Sequence, residues 1–417
     1  GVPSSGSMTT TTATANPIAF TSDAPGTLAP SPAPWVPWLF QAGNLCFWLS
    51  LYYYVPTLPN YARDLGAPLT VVGAMLSAYG IVQLVLRIPT GVASDWWGRR
   101  KPVFLGGLVA SLAGALAFAF APNPWALVGA RALTGLAACA WVGITVMFAG
   151  YFPANQSTRA IGWLNLANAA GQIIATWSGG QLAEAYGPIA PFVASAVTAG
   201  VGIALVAMCP EPARARPGAG SASTKTASRL WKTATAPALI GVSLLSAVQN
   251  YASFSTVFGF TPVYAKELGA TSSELGTLTA LSLVPFAIAQ PLTAGINARF
   301  GSRAVVVGGL LTIGLSAIAT PACTTMVALL AVQVVAGFGR GVTGTTLMGL
   351  SIRHVASEER ATAMGVYQAV YAIGMFLGPL VGGAVGDAAG LGAIFFSTGA
   401  LQLGATIVAW RILNQRS

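Results

Sequence analysis

Long apolar runs alternate with short polar segments along this chain from Trp35 onwards. About 20 consecutive apolar residues in a helix are enough to cross the hydrocarbon core of a bilayer. Twelve runs of about this length are predicted as helices, at 36–58, 69–90, 102–121, 124–149, 160–183, 188–209, 236–265, 273–296, 303–320, 325–350, 361–385 and 392–411. The pattern therefore predicts an all-α integral membrane protein with twelve transmembrane helices.

Composition narrows the class of protein further. Hydrophobic residues make up 54% of the chain and charged residues only 7%, whereas a soluble domain carries roughly 25% charged residues. This balance excludes a soluble globular enzyme. The four cysteines (Cys46, Cys139, Cys209 and Cys323) are far apart, and His354 is the single histidine. We therefore predict no disulfide framework, no metal centre, no cofactor and no catalytic residues.

The net charge of +10 is explained by membrane topology. With a cytoplasmic N-terminus, two basic residues (Arg63 and Lys266) fall outside and three (Arg87, Arg131 and Arg340) fall within the membrane. The remaining fifteen of the 20 fall inside: Arg99, Arg100, Lys101, Arg159, Arg214, Arg216, Lys225, Arg229, Lys232, Arg299, Arg303, Arg353, Arg360, Arg411 and Arg416. The positive-inside rule then places both termini in the cytoplasm. We predict a multi-pass protein of the cytoplasmic membrane, and no nucleic-acid partner.

Segments of different composition flank and divide the apolar runs. Residues 1–34 combine a cloning scar before Met8 with a Thr/Ala/Ser/Pro-rich stretch, which predicts a disordered cytoplasmic tail. Residues 211–235 carry five of the basic residues among Gly, Ser and Thr and predict a solvated cytoplasmic linker. The predicted units are an N-terminal six-helix bundle at 35–210, a C-terminal six-helix bundle at 236–412 and a cytoplasmic tail at 413–417.

The two predicted bundles are copies of each other. A shift of 203 positions lays Gly73 on Gly276 and Gly180 on Gly383, and a shift of 209 lays Arg131 on Arg340. A finer pattern of Gly, three residues, an acid, two residues and Gly recurs at helix ends, at Gly91/Asp95/Gly98, Gly180/Glu184/Gly187 and Gly383/Asp387/Gly390. Because its copies fall on opposite faces of the membrane, we predict inverted three-helix repeats, which are typical of secondary transporters.

Three motifs resemble the major facilitator superfamily, with a general likeness to bacterial efflux permeases. They are the loop Gly91-Val-Ala-Ser-Asp95-Trp-Trp-Gly98-Arg99-Arg100-Lys101, the fourth-helix pair Arg131 and Gly135, and the eleventh-helix segment Gly374-Met-Phe-Leu-Gly378-Pro379-Leu-Val-Gly382-Gly383. The resemblance covers 36–411 and implies that the first, fourth, seventh and tenth helices surround a central cavity. Trp96 replaces the usual arginine of the loop. Ala175-Thr176 stands where proton antiporters of the superfamily commonly carry Gly-Pro, which weakens a case for drug/proton antiport.

Arg131 and Arg340 are the strongest candidates for substrate contact, since an arginine within a membrane normally faces a polar interior. The other predicted cavity residues are Gln41, Asn44, Trp48, Tyr52, Trp141, Gln249, Asn250, Tyr367, Gln368 and Tyr371. Amides and tyrosines also serve as hydrogen-bonding links between helices, and that alternative stays open for each. Arg87 is left out of the predicted site, because it lies near a helix end from which its head group could reach the lipid headgroups.

A second set of residues is predicted to control opening. The resemblance implies a cytoplasmic gate of Asp95 with Arg99 and Arg100, flanked by Gly91 and Gly98, and the repeat gives Glu184 and Asp387 the matching external positions. The alternative for Asp95 is a topology determinant that keeps the loop inside. Glycines at helical spacing, with Pro379 between them, predict close helix packing at Gly374, Gly378, Gly382 and Gly383. We expect Gly378→Leu to hinder rocking.

These features predict a secondary active transporter that moves a small organic solute by alternating access and is coupled to protons. No Asp or Glu falls in the middle of an apolar run, so a cavity with two arginines favours anionic, zwitterionic or neutral amphiphilic solutes over cations. The alternatives are a multidrug/proton antiporter that exports lipophilic compounds and a membrane receptor that binds without transporting. The predicted partners are the solute, protons and the lipid bilayer, and the predicted state is a monomer.

Overall fold

The computed structural model describes residues 33–153, 156–212, 232–353, 355–356 and 359–414, and within these ranges it contains helices and turns but no strand. Each of the twelve predicted apolar runs coincides with a helical segment. The predicted tail up to residue 32, the linker between 213 and 231, His354 and residues 415–417 lie outside the described residues. The all-α membrane fold is therefore as the sequence predicts.

The helices are numbered after the twelve runs. The first six are α1a (Val36–Tyr52) with α1b (Leu58–Asp64), α2 (Leu69–Trp97), α3 (Lys101–Ala119), α4a (Pro124–Cys139) with α4b (Trp141–Ala149), α5 (Ser157–Tyr186) and α6 (Ala190–Met208). The second six are α7a (Pro237–Ser255) with α7b (Thr261–Glu267), α8 (Ser272–Phe300), α9 (Ser302–Ala319), α10 (Met326–Ile352), α11 (Arg360–Ala389) and α12 (Leu391–Asn414).

Local sequence signals fix several helix ends. The Asn123 side chain accepts from the N–H of Ala126 at the start of α4a, and a capping box between Thr271 and Glu274 starts α8. α5 and α11 end at Gly187 and Gly390, whose φ angles of 90° and 87° are favourable only for glycine. These two glycines are the last residues of two copies of the Gly/acid pattern, so the repeat marks helix ends.

Three of the twelve predicted runs contain an interruption of the helix. α1a stops at Tyr52 because Pro56 has no N–H and its ring clashes with the carbonyl four residues before it. A π-turn at 256–260 precedes Pro262 in the seventh segment, where the wider turn accommodates the proline. The break in the fourth segment is one residue, Ala140, whose N–H bonds to Ala137.

Nine described helical segments are long and apolar enough to cross a membrane, namely those of the second, third, fourth, sixth and eighth to twelfth runs. The first and seventh runs are split by the breaks above. The fifth run, α5, carries polar residues such as Asn165, Asn168 and Gln172 along its length. Polar side chains occur in spanning helices where they face the bundle interior or a water-filled cavity, so these three segments remain consistent with twelve spans.

Helices of the first six pack mainly on each other, and so do helices of the second six. Two pairs make the main contacts between these halves, α2 with α11 and α5 with α8. The repeat relates the two pairs, since α2 corresponds to α8 and α5 to α11. We call the end of the molecule with Glu184 and Asp387 the latched end, and the opposite end, where α6 leads towards α7a, the linker end.

Candidate functional site

Glu184 and Asp387, which the repeat places at the external positions that match the cytoplasmic gate, both cap a helix of the opposite half. At the end of α11, Asp387 accepts from the backbone N–H groups of Leu69 and Thr70, at 2.9 and 2.7 Å, and from the Thr70 hydroxyl. At the end of α5, Glu184 accepts from the backbone N–H of Ser272, at 2.8 Å. A carboxylate is favourable at a helix N-terminus because free N–H groups and the helix dipole both attract it. The two halves are thereby joined at the latched end.

Glycines show that the two halves are in backbone contact near this end. A Cβ added to Gly73 of α2 would collide with the carbonyl of Pro379, and one added to Gly276 of α8 would lie 2.7 Å from that of Thr176. Towards the linker end, the same four helices carry glycines with no described atom within 4 Å of an added Cβ: Gly91, Gly162, Gly295 and Gly365. Glycine-to-backbone contacts between the cross-half pairs are therefore found at the latched end, and none of these four linker-end glycines makes one.

Aromatic rings from both halves meet between the two ends. Tyr52 lies with its ring 6.2 Å from Phe258, and Tyr79 stacks on Phe254 at 6.2 Å between centroids. Both pairs cross from the first half to the second. Phe254 lies near the end of α7a and Phe258 lies in the π-turn that follows. The interrupted segment of the second half therefore supplies both rings. Sequence reasoning placed Tyr52 in the cavity but missed Tyr79, Phe254 and Phe258.

Trp48 and Trp141, both predicted cavity residues, form an aromatic pair in the first half. Their ring centroids are 5.2 Å apart, and the Trp48 ring lies 5.9 Å from that of Tyr52. The buried indole N–H of Trp48 has no hydrogen-bond partner among the described residues. A buried N–H donor without a partner is costly unless a ligand or water accepts from it. This cluster can therefore bind an aromatic or amphiphilic solute by ring stacking and one hydrogen bond.

Arg131 is buried inside the first half, with 4% of its surface exposed. Its guanidinium lies over the ring of Tyr79 at 4.4 Å and near that of Tyr54 at 5.9 Å. Cation–π contacts stabilise a buried cation without a carboxylate. Because Tyr79 also stacks on Phe254 of the other half, Arg131 is one ring away from the contact between halves.

Arg340 is equally buried, at 4% exposure, but has a different environment. Its Nη2 donates to the carbonyl of Ser282 at 3.3 Å, while its Nε has no partner. It borders a small cavity inside the second half, whose other polar lining residues are Ser253, Thr256, Ser316, Thr320 and Gln333. The two predicted arginines are therefore not brought together in one site.

Arg87 lies between the halves, although the sequence analysis left it out. Its Nη1 donates to the hydroxyl of Tyr371 at 2.8 Å and to Oε1 of Gln368 at 3.4 Å, and its Nη2 donates to Gln83. Tyr371 and Gln368 are predicted cavity residues of α11 in the second half. The assumption of a headgroup-directed side chain was wrong because α2 extends to Trp97, which puts Arg87 well inside the helix. The spacing of Gln83 and Arg87, four residues apart on one helix face, was the signal available in the sequence.

The remaining predicted cavity residues bond to neighbouring helices or within their own turn. Gln249 donates to the carbonyl of Arg340 at 2.9 Å, Asn250 donates to that of Ser246 at 2.9 Å, and the hydroxyl of Tyr367 bonds to that of Ser246 at 2.9 Å. In the first half, the Nδ2 of Asn44 donates to Gln41 at 3.4 Å and to the Leu164 carbonyl at 3.5 Å. In this conformation, Gln249, Tyr367 and Asn44 link neighbouring helices, whereas the bonds of Asn250 to Ser246 and of Asn44 to Gln41 stay within one helix.

At the linker end, the predicted gate residues have partners that the sequence did not suggest. Arg100 donates from its side chain to Ser94, and its backbone N–H donates to Glu211. Glu211 also accepts from the N–H of Lys101 at 3.2 Å, so it caps the N-terminus of α3. The side chain of Asp95 lies outside the described residues, and its predicted pairing with Arg99 and Arg100 stays a prediction.

The predicted packing glycines of α11 divide into two groups. A Cβ on Gly374 would collide with the Ala247 carbonyl, one on Gly378 with that of Tyr251, and one on Gly382 would lie 2.6 Å from the Ser255 hydroxyl. All three contacts are with α7a of the same half. Gly383 and the Pro379 carbonyl instead contact α2 of the other half. Gly378→Leu is therefore expected to destabilise the second half itself, which corrects the expectation that it would mainly hinder rocking.

Among the described residues, no group of three or more His, Cys, Asp or Glu side chains is placed to hold a metal ion.

Comparison with known proteins agrees with this architecture. The family model described as Major Facilitator Superfamily matches residues 42–264 and 243–417. Multidrug resistance protein 1 of Bacillus subtilis is 25% identical over 370 residues, which cover 87% of this chain and 93% of that protein. An uncharacterized MFS-type transporter of Methanocaldococcus jannaschii is 22% identical over 346 residues, or 82% of this chain and 89% of that protein.

Two solved structures share the fold at low sequence identity. A crystal structure of a mutant of the nucleoside transporter NupG has a TM-score of 0.76 at 16% identity and covers 92% of this chain and 100% of its own. A bacterial homologue of the human lysosomal transporter Spinster, in an inward-facing and occupied conformation, has a TM-score of 0.75 at 14% identity, with 91% and 96% covered.

Proposed function

Because the chain belongs to the Major Facilitator Superfamily, a family of membrane transporters, we propose that it is a secondary active transporter of small organic solutes. The proposed solutes are anionic, zwitterionic or neutral amphiphiles. They cross the cytoplasmic membrane by alternating access, and their movement is coupled to protons. The moving units are the six-helix bundles at 35–210 and 236–412, joined by the linker at 211–235, and the working unit is a monomer.

The unequal ends of the molecule support alternating access. The latched end is closed by the contacts of Glu184 and Asp387 and by glycine-to-backbone packing, whereas the glycines of the linker end have open space beside them. Rocking of two rigid halves about a central site would break the contacts at the latched end and close the linker end. This is the geometry of a carrier with one side open.

The distribution of basic residues supports the orientation. Arg99, Arg100, Lys101, Arg299 and Arg303 all lie at the linker end, while the latched end has Arg63 and Lys266. Under the positive-inside rule the linker end is cytoplasmic. The conformation is then open to the cytoplasm and closed outside.

The substrate class rests on one observation, the position of Arg87 between the halves. Its hydrogen-bond partners, Gln83, Gln368 and Tyr371, are neutral, and its buried Nε has no partner. Arginine presents paired N–H groups that match a carboxylate or phosphate. A solute with such a group would gain a charge-assisted contact that both halves share, which a cation would not.

Proteoliposomes with an internal pH dye test this proposal. After a proton gradient is imposed, panels of organic anions, neutral solutes and lipophilic cations are added separately. We expect proton movement to be triggered by anions, and to be lost in Arg87→Gln, because glutamine keeps hydrogen-bonding capacity but removes the charge. Exposed Arg299→Gln, at the linker-end rim, is the matched control and should retain transport.

The outcomes separate the possible functions. Proton movement triggered only by lipophilic cations would contradict the substrate class. Solute flux without proton movement would contradict the coupling but not the carrier function. Saturable solute binding without any flux would indicate a receptor that does not transport.

Export of lipophilic compounds is the second candidate, because several similar proteins are named for multidrug resistance, including the Bacillus subtilis relative and MdtG of Escherichia coli. The cluster of Trp48, Tyr52 and Trp141 suits flat amphiphiles, since stacked rings bind them without demanding one hydrogen-bond pattern. Under this function, Trp48→Ala should reduce transport of lipophilic cations more than Arg87→Gln does. The same proteoliposome assay measures both variants.

A further inference from the structure

Arg340 lies at a small cavity whose lining residues all belong to the second half. The side chain of a helical residue points towards the helix N-terminus, so the guanidinium lies over the turn that contains Gln333 and Ala336. Both residues line the cavity with it, and the remaining lining residues come from α7a, the π-turn and the end of α9. The cavity has room for about one water-sized particle.

The charge of Arg340 has no compensating partner among the described residues. It donates one hydrogen bond, to the carbonyl of Ser282, and its buried Nε donates none. The described Asp and Glu residues all lie at or near helix ends, none in the interior of a spanning helix. An arginine held away from water without a counter-charge is strongly unfavourable. A negative charge bound next to Arg340 would therefore stabilise it.

The first half shows how the same position is stabilised without an anion. The Nε of Arg131 also has no hydrogen-bond partner among the described residues, but the rings of Tyr54 and Tyr79 lie around its guanidinium. The shift of 203 positions that relates the halves lays Tyr54 on Val257 and Tyr79 on Ser282. Val257 lines the cavity, and Ser282 supplies the carbonyl. Smaller side chains in the second half therefore leave a space where the first half has aromatic rings.

We propose that Arg340 binds a small inorganic anion of about the size of chloride in this cavity. The free Nε–H of Arg340 supplies a charge-assisted donor, and Gln333 and Ser316 supply further polar groups around it. A cavity of this size inside one half excludes an organic solute. The anion site is therefore separate from the proposed substrate site, and its role is to stabilise the second half.

Thermal unfolding of the purified protein in detergent tests this site without any transport assay. The midpoint temperature is measured by tryptophan fluorescence while gluconate is replaced by chloride at constant ionic strength. We expect a saturable rise of about 2 °C or more in the wild-type protein, because a ligand that binds only the folded state stabilises it. Arg340→Gln should lose this rise, and Arg131→Gln, the repeat-related control, should keep it.

Line broadening of the ³⁵Cl resonance provides a direct measure of binding and does not depend on stability. It should be present in wild type and Arg131→Gln and absent in Arg340→Gln. Val257→Leu, which fills the cavity and keeps the arginine, should also abolish it if Arg340→Gln does not fold. Equal chloride effects in wild type and Arg340→Gln, or no chloride effect in wild type, would overturn the proposal and leave a bound water as the occupant.

Discussion

The two halves repeat one backbone plan but stabilise their buried arginines differently. In the first half, Tyr54 and Tyr79 cover Arg131. In the second half, Arg340 faces a carbonyl and a small polar cavity. An internal repeat therefore preserves which helix carries the arginine without preserving what surrounds it. The first arginine therefore lies among aromatic rings close to the contact between halves, and the second lies beside a cavity lined by its own half.

The latches show a second inequality. Asp387 accepts hydrogen bonds from two backbone N–H groups and one hydroxyl, whereas Glu184 accepts one, from Ser272. Equivalent positions in the repeat thus make contacts of different strength. We expect the α2/α11 contact to be the stronger of the two that hold the latched end closed.

The largest effect is expected from leucine at the latched-end glycines. Gly73→Leu should abolish solute flux, because a side chain there collides with the Pro379 carbonyl and forces α2 away from α11. Gly276→Leu, the equivalent position in α8, should do the same to the α5/α8 contact. Gly106→Leu, on an exposed face of α3 outside both cross-half pairs, should retain flux. Equal loss in Gly106→Leu would mean that the cross-half contacts are not what the leucine disrupts.

Removal of the arginines should give the next largest effect. Arg131→Ala should reduce solute flux about tenfold or more, since it removes a buried cation–π contact and the charge beside Tyr79. Flux in proteoliposomes is compared with size-exclusion profiles that report the folded state. Arg340→Ala should lower thermal stability more than it lowers flux per folded protein. The reverse ranking would show that the second half carries the substrate contact.

The unequal latches predict a smaller, graded effect. Asp387→Asn should shift the molecule towards opening at the latched end by roughly tenfold, because charge-assisted bonds to helix N-termini contribute roughly 1 kcal/mol each. Glu184→Gln should shift it less, since one bond is affected. Labelling rates of a cysteine introduced at Thr277, beside the α5/α8 contact, report the opening in both variants. Faster labelling in Glu184→Gln than in Asp387→Asn would reverse the proposed order.

The smallest effect is expected at Thr70. Thr70→Val removes the hydroxyl that bonds to Asp387 but keeps both backbone donors, so the same labelling rate should rise only about twofold. A rise as large as that of Asp387→Asn would mean that the hydroxyl, and not the helix N-terminus, holds the latch.

The sequence predicted helical segments at all twelve apolar runs because the length needed to cross a bilayer is set by physics that each run satisfies separately. It also placed Glu184 and Asp387 at matching helix ends, since a short repeated pattern marks where α5 and α11 stop. The interruption at Pro56 could also have been predicted, because proline disrupts a helix. It was missed because the run was judged by its apolar length alone. Arg87 was missed because its place relative to a helix end depended on how far α2 continues beyond the apolar run.

The membrane fold, the repeat and the helix that carries each arginine could be read from the chain alone, because hydrophobic length and spacing are local properties. Four features could be seen only in the tertiary structure. They are which end is closed, which rings cover Arg131, the cavity beside Arg340, and the contact of Arg87 with Tyr371. These are contacts between helices far apart in the chain, and packing of whole helices against each other fixes them.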